Sequence, residues 1–333
     1  MRKLIIVMLF VSFHLIAYNQ TIKGIIFDKN THEKICFATV YFDGTFVGVS
    51  SDINGEFTLN IGDNTHMPLI VSSIGYYSAS LEDFSTDKPL IIYLTPQLYN
   101  INEVTVSDIS LVKKRKKNLK LFKEIFLGTT ENALNCEITN EQDISFNYGS
   151  DHDTLKAFAS KPIHINNKAL GYELTCHLDK FEYYRKSQMF LIVGNNIFNK
   201  DLAFETSENK SYLVRRENTY LGSRMHFFRA LWANDLFSAG FRVKNLADKE
   251  INYQDIVVQE VSKKPNPTIS IKKYLQHPDE LKILYYSNSS EIVFSKSKVY
   301  FDETGYCDLG INWSGEMITR RTGDMLPFEY KLK

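Results

Sequence analysis

The residues best placed to do chemistry lie between positions 215 and 229, where Arg215, Arg216, Ser223, Arg224, His226 and Arg229 crowd together. Guanidinium forks hold carboxylates and phosphates through paired N–H donors, and the amides of a helix N-terminus favour an anion in the same place. Ser223 is of the type that caps a helix, and Phe227, Phe228, Leu231 and Trp232 recur behind it at helical spacing. Arg224, His226 and Arg229 are therefore expected on one helix as an anion-binding set. Arg224 near the start of that helix opposes the macrodipole, so its placement calls for compensation. The plainer account of the same residues is salt bridging to Glu217, Asp235 or a sheet, with His226 packed on Phe227.

Other constellations are weaker. The one His-x-x-Glu, His277-Pro278-Asp279-Glu280, has no histidine after it, and Pro278 marks a loop. Neither His-Glu-x-x-His, Cys-x-x-Cys, a Gly-x-Ser-x-Gly elbow nor a glycine-rich phosphate loop occurs. Asp151-His152-Asp153 surrounds an imidazole with acids, but neighbouring side chains diverge on a strand, and the triplet reads as a hairpin turn. Asp52, Asn54 and Gly55 place oxygens as a calcium loop would, without the closing Glu, and a tight turn accounts for them. No catalytic residue, metal site or cofactor is expected.

The elements that must position these residues begin with a leader. Arg2 and Lys3 precede an apolar run from Leu4 to Ile16, and Ala17 sits two positions before Asn19, the layout of a cleaved signal peptide over residues 1–19. The protein is thus expected to be exported, to the periplasm or the outer membrane. Removing Arg2 and Lys3 leaves 37 basic against 39 acidic side chains, a balance that gives no field for nucleic acid. Of the four cysteines, Cys36, Cys136, Cys176 and Cys307, all read as buried free thiols; a Cys136–Cys176 bridge is the alternative.

From Thr21 to Thr95 short strands alternate with turn chemistry. Strands are read at Thr21–Asp28, Ala38–Phe42, Phe46–Ser50, Glu56–Ile61, Leu69–Ser73 and Pro89–Leu94. Asp43-Gly44 and Asn54-Gly55 supply tight turns, and Gly75 reads as a bulge or close backbone contact. Two facing antiparallel layers follow.

On these residues the segment resembles the carboxypeptidase regulatory-like domain, a transthyretin-type sandwich found in Gram-negative envelope proteins. The landmarks are Gly24, Asp28, Ala38-Thr39-Val40, Gly48, Ser51-Asp52-Ile53-Asn54-Gly55-Glu56-Phe57, Ser73-Ile74-Gly75-Tyr76 and Glu103-Val104-Thr105-Val106. The resemblance implies a seven-stranded sandwich over residues 20–106 that is structural or interactive and not itself a peptidase.

Residues 107–128 change character. Lys113, Lys114, Arg115, Lys116, Lys117, Lys120 and Lys123 accompany Leu119, Phe122, Ile125 and Phe126, which predicts an amphipathic helical linker closed by Gly128. Its apolar face should dock on the second domain. Its basic residues Lys113, Lys114, Arg115, Lys116 and Lys117 read as a solvated face, with peripheral membrane contact as the sharper alternative.

Residues 129–333 read as strands at Ile144–Tyr148, Leu155–Ser160, Gly171–Tyr184, Gln188–Val193, Phe241–Val243, Ile251–Val261, Thr268–Tyr274, Leu281–Tyr286, Glu291–Phe301 and Tyr306–Trp313. Helices are read at Ser211–Leu221 and Ser223–Phe237. A β-rich α+β domain with one long sheet against a helical pair is expected, so the fold class is mainly β. Phe126-Leu127-Gly128, Leu170-Gly171-Tyr172, Gly222-Ser223 with His226-Phe227, and Leu326-Pro327 resemble regulatory-like-domain envelope proteins with no assigned activity. The functional expectation is a non-catalytic envelope protein that binds or scaffolds a protein or glycan partner. The alternative is a hydrolase with its site in the C-terminal domain.

Overall fold

The computed structural model describes residues 20–62, 67–82, 84–97, 109–150, 153–204, 209–263 and 269–332. The leader expected at 1–19, the exit strand expected at 103–106, and Asp151 and His152 lie outside these residues.

Among the described residues seven strands build the N-terminal sandwich: β1 (Thr21–Asp28), β2 (Thr39–Phe42), β3 (Gly48–Ser50), β4 (Glu56–Asn60), β5 (Leu69–Ser72), β6 (Ala79–Leu81) and β7 (Leu90–Leu94). One sheet runs β4-β1-β7 and the other β3-β2-β5-β6. Period-two patterning explains the core. Ile22 and Ile26 of β1, Phe57 and Leu59 of β4, Val40 and Phe42 of β2, and Leu69 and Val71 of β5 meet between the sheets. The layers are antiparallel except where β7 pairs parallel with β1, from Gly24↔Leu90 to Asp28↔Leu94. The short edge strand β6 carried too little apolar signal to be read in advance. Gly75 is neither bulge nor close contact; a Cβ there would meet open space, and its φ of +84° is what a turn requires.

The turns repeat one device. Asp28 Oδ1 accepts from the amides of Asn30 and Thr31, Asp52 Oδ1 from those of Asn54 and Glu56, and Asp302 Oδ1 from those of Thr304 and Tyr306. An aspartate that satisfies turn amides needs no cation, and among the described residues no group of His, Cys, Asp and Glu is arranged to hold a metal.

The remaining chain has two further cores. In the first, α1 (Ile109–Phe126), followed by the short α2 (Glu131–Leu134), lies on a sheet whose spine is the long strand β12 (Tyr172–Tyr184). Strand β13 (Phe190–Asp201) pairs along one edge of β12. Strands β11 (Ile163–Asn167) and β10 (Thr154–Ala159) share its other edge, flanked by β8 (Cys136–Ile138) and β9 (Ile144–Tyr148). Phe122 of α1 stacks on Phe126 at 5.0 Å and meets Phe181 of β12 at 4.8 Å between ring centroids. Each such buried side chain contributes about 1.5–3 kcal/mol, so α1 belongs to this core and is more than a linker. The register of β12 against β13 slips between Leu178 and Lys180, which keeps Leu174, Cys176, Leu178 and Phe181 all buried.

In the other core, α4 (Arg224–Trp232), preceded by α3 (Asn209–Tyr220), packs with two small sheets. One is β14-β17-β18-β20 (Phe241–Asn245, Leu281–Tyr285, Asn288–Phe294, Ile311–Gly315); the other is β15-β16-β19 (Val257–Lys263, Ile269–Leu275, Val299–Phe301). The expected single long sheet against a helical pair is therefore two separate cores. Ile251–Val261 is not continuous strand, because Tyr253–Ile256 forms a helical turn closed by a capping box between Asn252 and Asp255. Helix α4 stops at Trp232, short of the expected Phe237, where Asn234 takes φ +55°.

All four thiols are free. Cys136 and Cys176 are buried, but Cys36 is exposed, contrary to the expectation of a buried thiol. Burial pushes the Cys136 thiol up to about 12. No helix among the described residues is long and apolar enough to cross a membrane.

The sandwich and the first α/β core share a seam. Asp43 Oδ1 accepts from the Asn196 amide, the Gly44 amide donates to the Asn196 carbonyl, and the Phe198 amide donates to the Thr45 carbonyl. The chain's final segment closes the same seam, with the Phe328 amide on the Gly44 carbonyl and Glu329 Oε1 accepting from the Phe46 amide. Gly48 lacks a Cβ where the Ile197 side chain of β13 sits. The Asp43-Gly44 turn is thus a docking edge. Burial there raises the Asp43 carboxyl to about 6, against hydrogen bonds from Asn196 and Gly44 that lower it.

Candidate functional site

The expected anion set does sit on α4, with Ser223 as N-cap accepting from the His226 amide. Its donors face backbone carbonyls. Arg229 donates through Nε to Thr304, through Nη1 to Tyr330 at 2.7 Å and through Nη2 to Phe328. Exposed Arg224 donates to the Arg320 carbonyl and lies over the Trp313 ring. His226 is buried against Tyr220, Phe241 and Tyr285, and not on Phe227. Its Nδ1 accepts from the Gly222 amide at 3.1 Å, which fixes the neutral tautomer with the proton on Nε2. Burial, with Arg229 and Arg320 nearby, lowers its pKa to about 4.

The neighbouring arginines follow the same rule. Arg216, 3% exposed, grips Asp201 with Nη1 and Nη2 and also donates to the Leu170 and Gly171 carbonyls. Arg215 donates to the Ala169 carbonyl. Arg320 donates to the carbonyls of Thr219 and Leu221 where α3 ends, and Arg321 to those of Glu124 and Ile125 where α1 ends. A cation at a helix C-terminus satisfies orphan carbonyls and complements the dipole. Arg216 pairs with Asp201, and neither Glu217 nor Asp235 is the partner of these guanidiniums.

A different set of polar side chains gathers on the outer face of the sandwich. In β2, Val40 and Phe42 point into the sandwich core, so Tyr41 points away from it, yet it is fully buried. In β5 all four residues are buried, Leu69 and Val71 inward and Ile70 and Ser72 outward. The second layer over them is β12, whose His177 and Asp179 share a face at spacing two. The Tyr41 and His177 rings stack at 5.5 Å.

Between the layers opens a narrow cleft of about 30 Å³, bordered by Ser72, Ser73, Ser78, Lys161, His177 and Asp179. A hydrogen-bonded chain crosses from one domain to the other. Ser78 Oγ and its amide both donate to Asp179 Oδ1, at 3.0 and 3.2 Å. Ser72 Oγ donates to Ser78 Oγ at 2.8 Å, and Tyr41 Oη lies 3.1 Å from Ser72 Oγ. A serine has one proton to give, so with Ser72 donating onward the Tyr41 hydroxyl must donate to Ser72. All three hydroxyls are polarised toward the Asp179 carboxylate. Burial raises the pKa of Asp179, and the bonds from Ser78 oppose that rise. Burial also holds His177 near 4, with His164 adding to the effect, so the imidazole is neutral.

Serine, histidine and carboxylate thus occupy one cleft without the order that acyl transfer requires. There the nucleophile donates to the imidazole, and the carboxylate orients that imidazole. Here Ser78 donates to the carboxylate, and the His177 ring is covered by Tyr41. The arrangement suits recognition of a polar group that replaces or extends the hydroxyl chain. Of these residues, none was singled out from sequence. The available signal was the unbroken apolar run Leu69-Ile70-Val71, which marks a strand covered on both faces.

Comparison with curated proteins returns no match. Residues 22–106, about a quarter of the chain, match the family model of the CarboxypepD_reg-like domain, so the N-terminal sandwich is a carboxypeptidase regulatory-like domain.

Proposed function

We propose that this is a non-catalytic protein of the cell envelope that binds a protein or glycan partner through the polar cleft between its regulatory-like sandwich and β12. The observation that carries the reading is the direction of the Ser78 hydroxyl, toward Asp179 and away from His177. A serine that ends a hydroxyl chain on a carboxylate, and does not donate to an imidazole, supports recognition over the Ser-His-Asp order of acyl transfer. The leader-like start of the chain and its resemblance to envelope proteins support the location.

The test places a photo-crosslinking side chain at Ser73, on the rim of the cleft, and for comparison at exposed Leu246. After illumination with envelope extract, a discrete adduct at Ser73 and none at Leu246 is expected. Adducts of equal yield at both positions would remove the cleft from the reading.

A second reading, a hydrolase, has one specific point in its favour: Ser78, His177 and Asp179 border a single cleft. Turnover of ester or peptide substrates that disappears in Ser78→Ala would favour it over binding.

A further inference from the structure

We infer that the cationic face of α1, joined by the tip of the β12–β13 hairpin, is a docking surface for a bilayer rich in anionic phospholipid headgroups. It rests on residues remote from the cleft and does not depend on the binding reading above.

Helix α1 carries seven basic residues and one acid, Glu124, and has no acidic residue in its first turn. Lys113, Lys116, Lys117 and Lys120 are all exposed and recur at i, i+3, i+4 and i+7, so they form one stripe. The opposite stripe is anchored: Asn118, Phe122, Ile125 and Phe126 are buried, and Arg115 donates to the carbonyls of Glu141 and Ile144. The helix cannot roll to hide its lysines. Lys120 reaches Glu124 at 3.8 Å, whereas no ion pair with another described residue engages Lys113, Lys116 or Lys117.

A second element extends the stripe. Tyr148 of β9 is held by its hydroxyl, which donates to Asn118 and accepts from Arg185. Lys114 covers its ring at 4.5 Å, and Arg185 lies 4.7 Å from the same centroid. Arg185 and Lys186 are the exposed tip of the hairpin, so two elements far apart in sequence present their cations together. Beside them stand exposed apolar side chains, Val112 at 52% and Met189 at 63%.

The chain as a whole is charge-balanced, with 39 basic and 39 acidic residues, so this cluster is a local asymmetry and not part of a global field. A cluster of exposed cations held on an anchored helix and a neighbouring hairpin tip, with exposed apolar side chains adjoining in sequence, is complementary in charge to a layer of anionic phosphate headgroups. Each cation near such a surface adds to the attraction, and the attraction falls off within a Debye length.

The test is flotation of the full chain with vesicles of phosphatidylcholine alone and with about 30% phosphatidylglycerol. The phosphatidylcholine arm sets the baseline for any uncharged adsorption. Wild type should bind the anionic vesicles at least about tenfold better, and lose that increment at about 0.5 M salt. The variant Lys113→Gln/Lys116→Gln/Lys117→Gln/Lys186→Gln should lose the increment while melting at the wild-type temperature, since all four side chains are exposed. A control removing the same charge elsewhere, Lys29→Gln/Lys34→Gln/Lys249→Gln/Lys296→Gln, should keep it. Binding no better than to phosphatidylcholine, equal loss in both variants, or salt-sensitive retention only on nucleic acid or acidic protein would overturn the inference.

Discussion

Two corners of the molecule each hold a neutral histidine, buried His226 and half-buried His177, and they differ in what surrounds it. Around His226 the donors are guanidiniums, and they end on backbone carbonyls of Thr304, Arg320, Phe328 and Tyr330. Around His177 the donors are hydroxyls, and they end on a carboxylate at the edge of an open cleft. An arginine that reaches carbonyls of several chain segments fixes those segments in place. A hydroxyl chain can exchange one partner for a ligand atom at little cost. Density of charged residues in a sequence therefore marks the cement here, and the quieter Ser-Tyr-His-Asp set is the one we propose as the partner surface.

The comparison breaks first at Arg216. Arg216→Ala would strand Asp201 and two carbonyls, and a loss of about 3–5 kcal/mol in urea unfolding is expected. A loss below about 1 kcal/mol would show that these guanidiniums are not structural.

Next comes pH. His226 binds a proton with a pKa near 4 in the folded chain and about 6.5 when unfolded. Between those values the unfolded state holds more protons. The contribution is full above about 6.5 and is lost as pH falls toward 4, on the order of 2–3 kcal/mol at the acid end. His226→Gln should flatten the stability profile across that window. Asp302, raised to about 6 mainly by burial, acts with the opposite sign: its contribution is present at low pH and lost as pH rises through 6. Asp302→Asn should therefore steepen the acid loss that His226 produces.

At the seam, Gly48→Ala pushes a methyl toward Ile197 and the Tyr41 Cβ. Destabilisation of about 1–3 kcal/mol is expected in thermal unfolding, together with faster proteolysis between the domains. Smallest of all, Arg224→Ala should stay within about 1 kcal/mol of wild type, because the residue is exposed overall and its guanidinium, although burial lowers its pKa, makes one bond to a carbonyl.

Much of the sandwich was legible because its signals are local. Alternation in β1 and β4 and the Asp-x-Asn-Gly turn depend only on neighbours in sequence. The Ser223 cap and the buried face of α1 were legible for the same reason. The cleft was not. Leu174, Cys176 and Leu178 identify the buried face of β12, which consigns His177 and Asp179 to the opposite face without revealing that the sandwich covers it. Likewise Asp43-Gly44 reads as a free turn until Asn196 and Phe328 arrive from far along the chain. Whether Arg224 and Arg229 face an anion or the chain is not legible either, because nothing local tells a carbonyl partner from an anion.

The binding account is tested most directly by passing envelope extract over immobilised wild type, Ser73→Trp and Arg224→Ala. Tryptophan at position 73 adds bulk on the cleft rim at a residue outside the hydroxyl chain, and alanine at 224 removes a side chain of the arginine corner. The account predicts that a species crosslinked at Ser73 is retained by wild type and Arg224→Ala and lost from Ser73→Trp. Retention by Ser73→Trp together with loss from Arg224→Ala would contradict it.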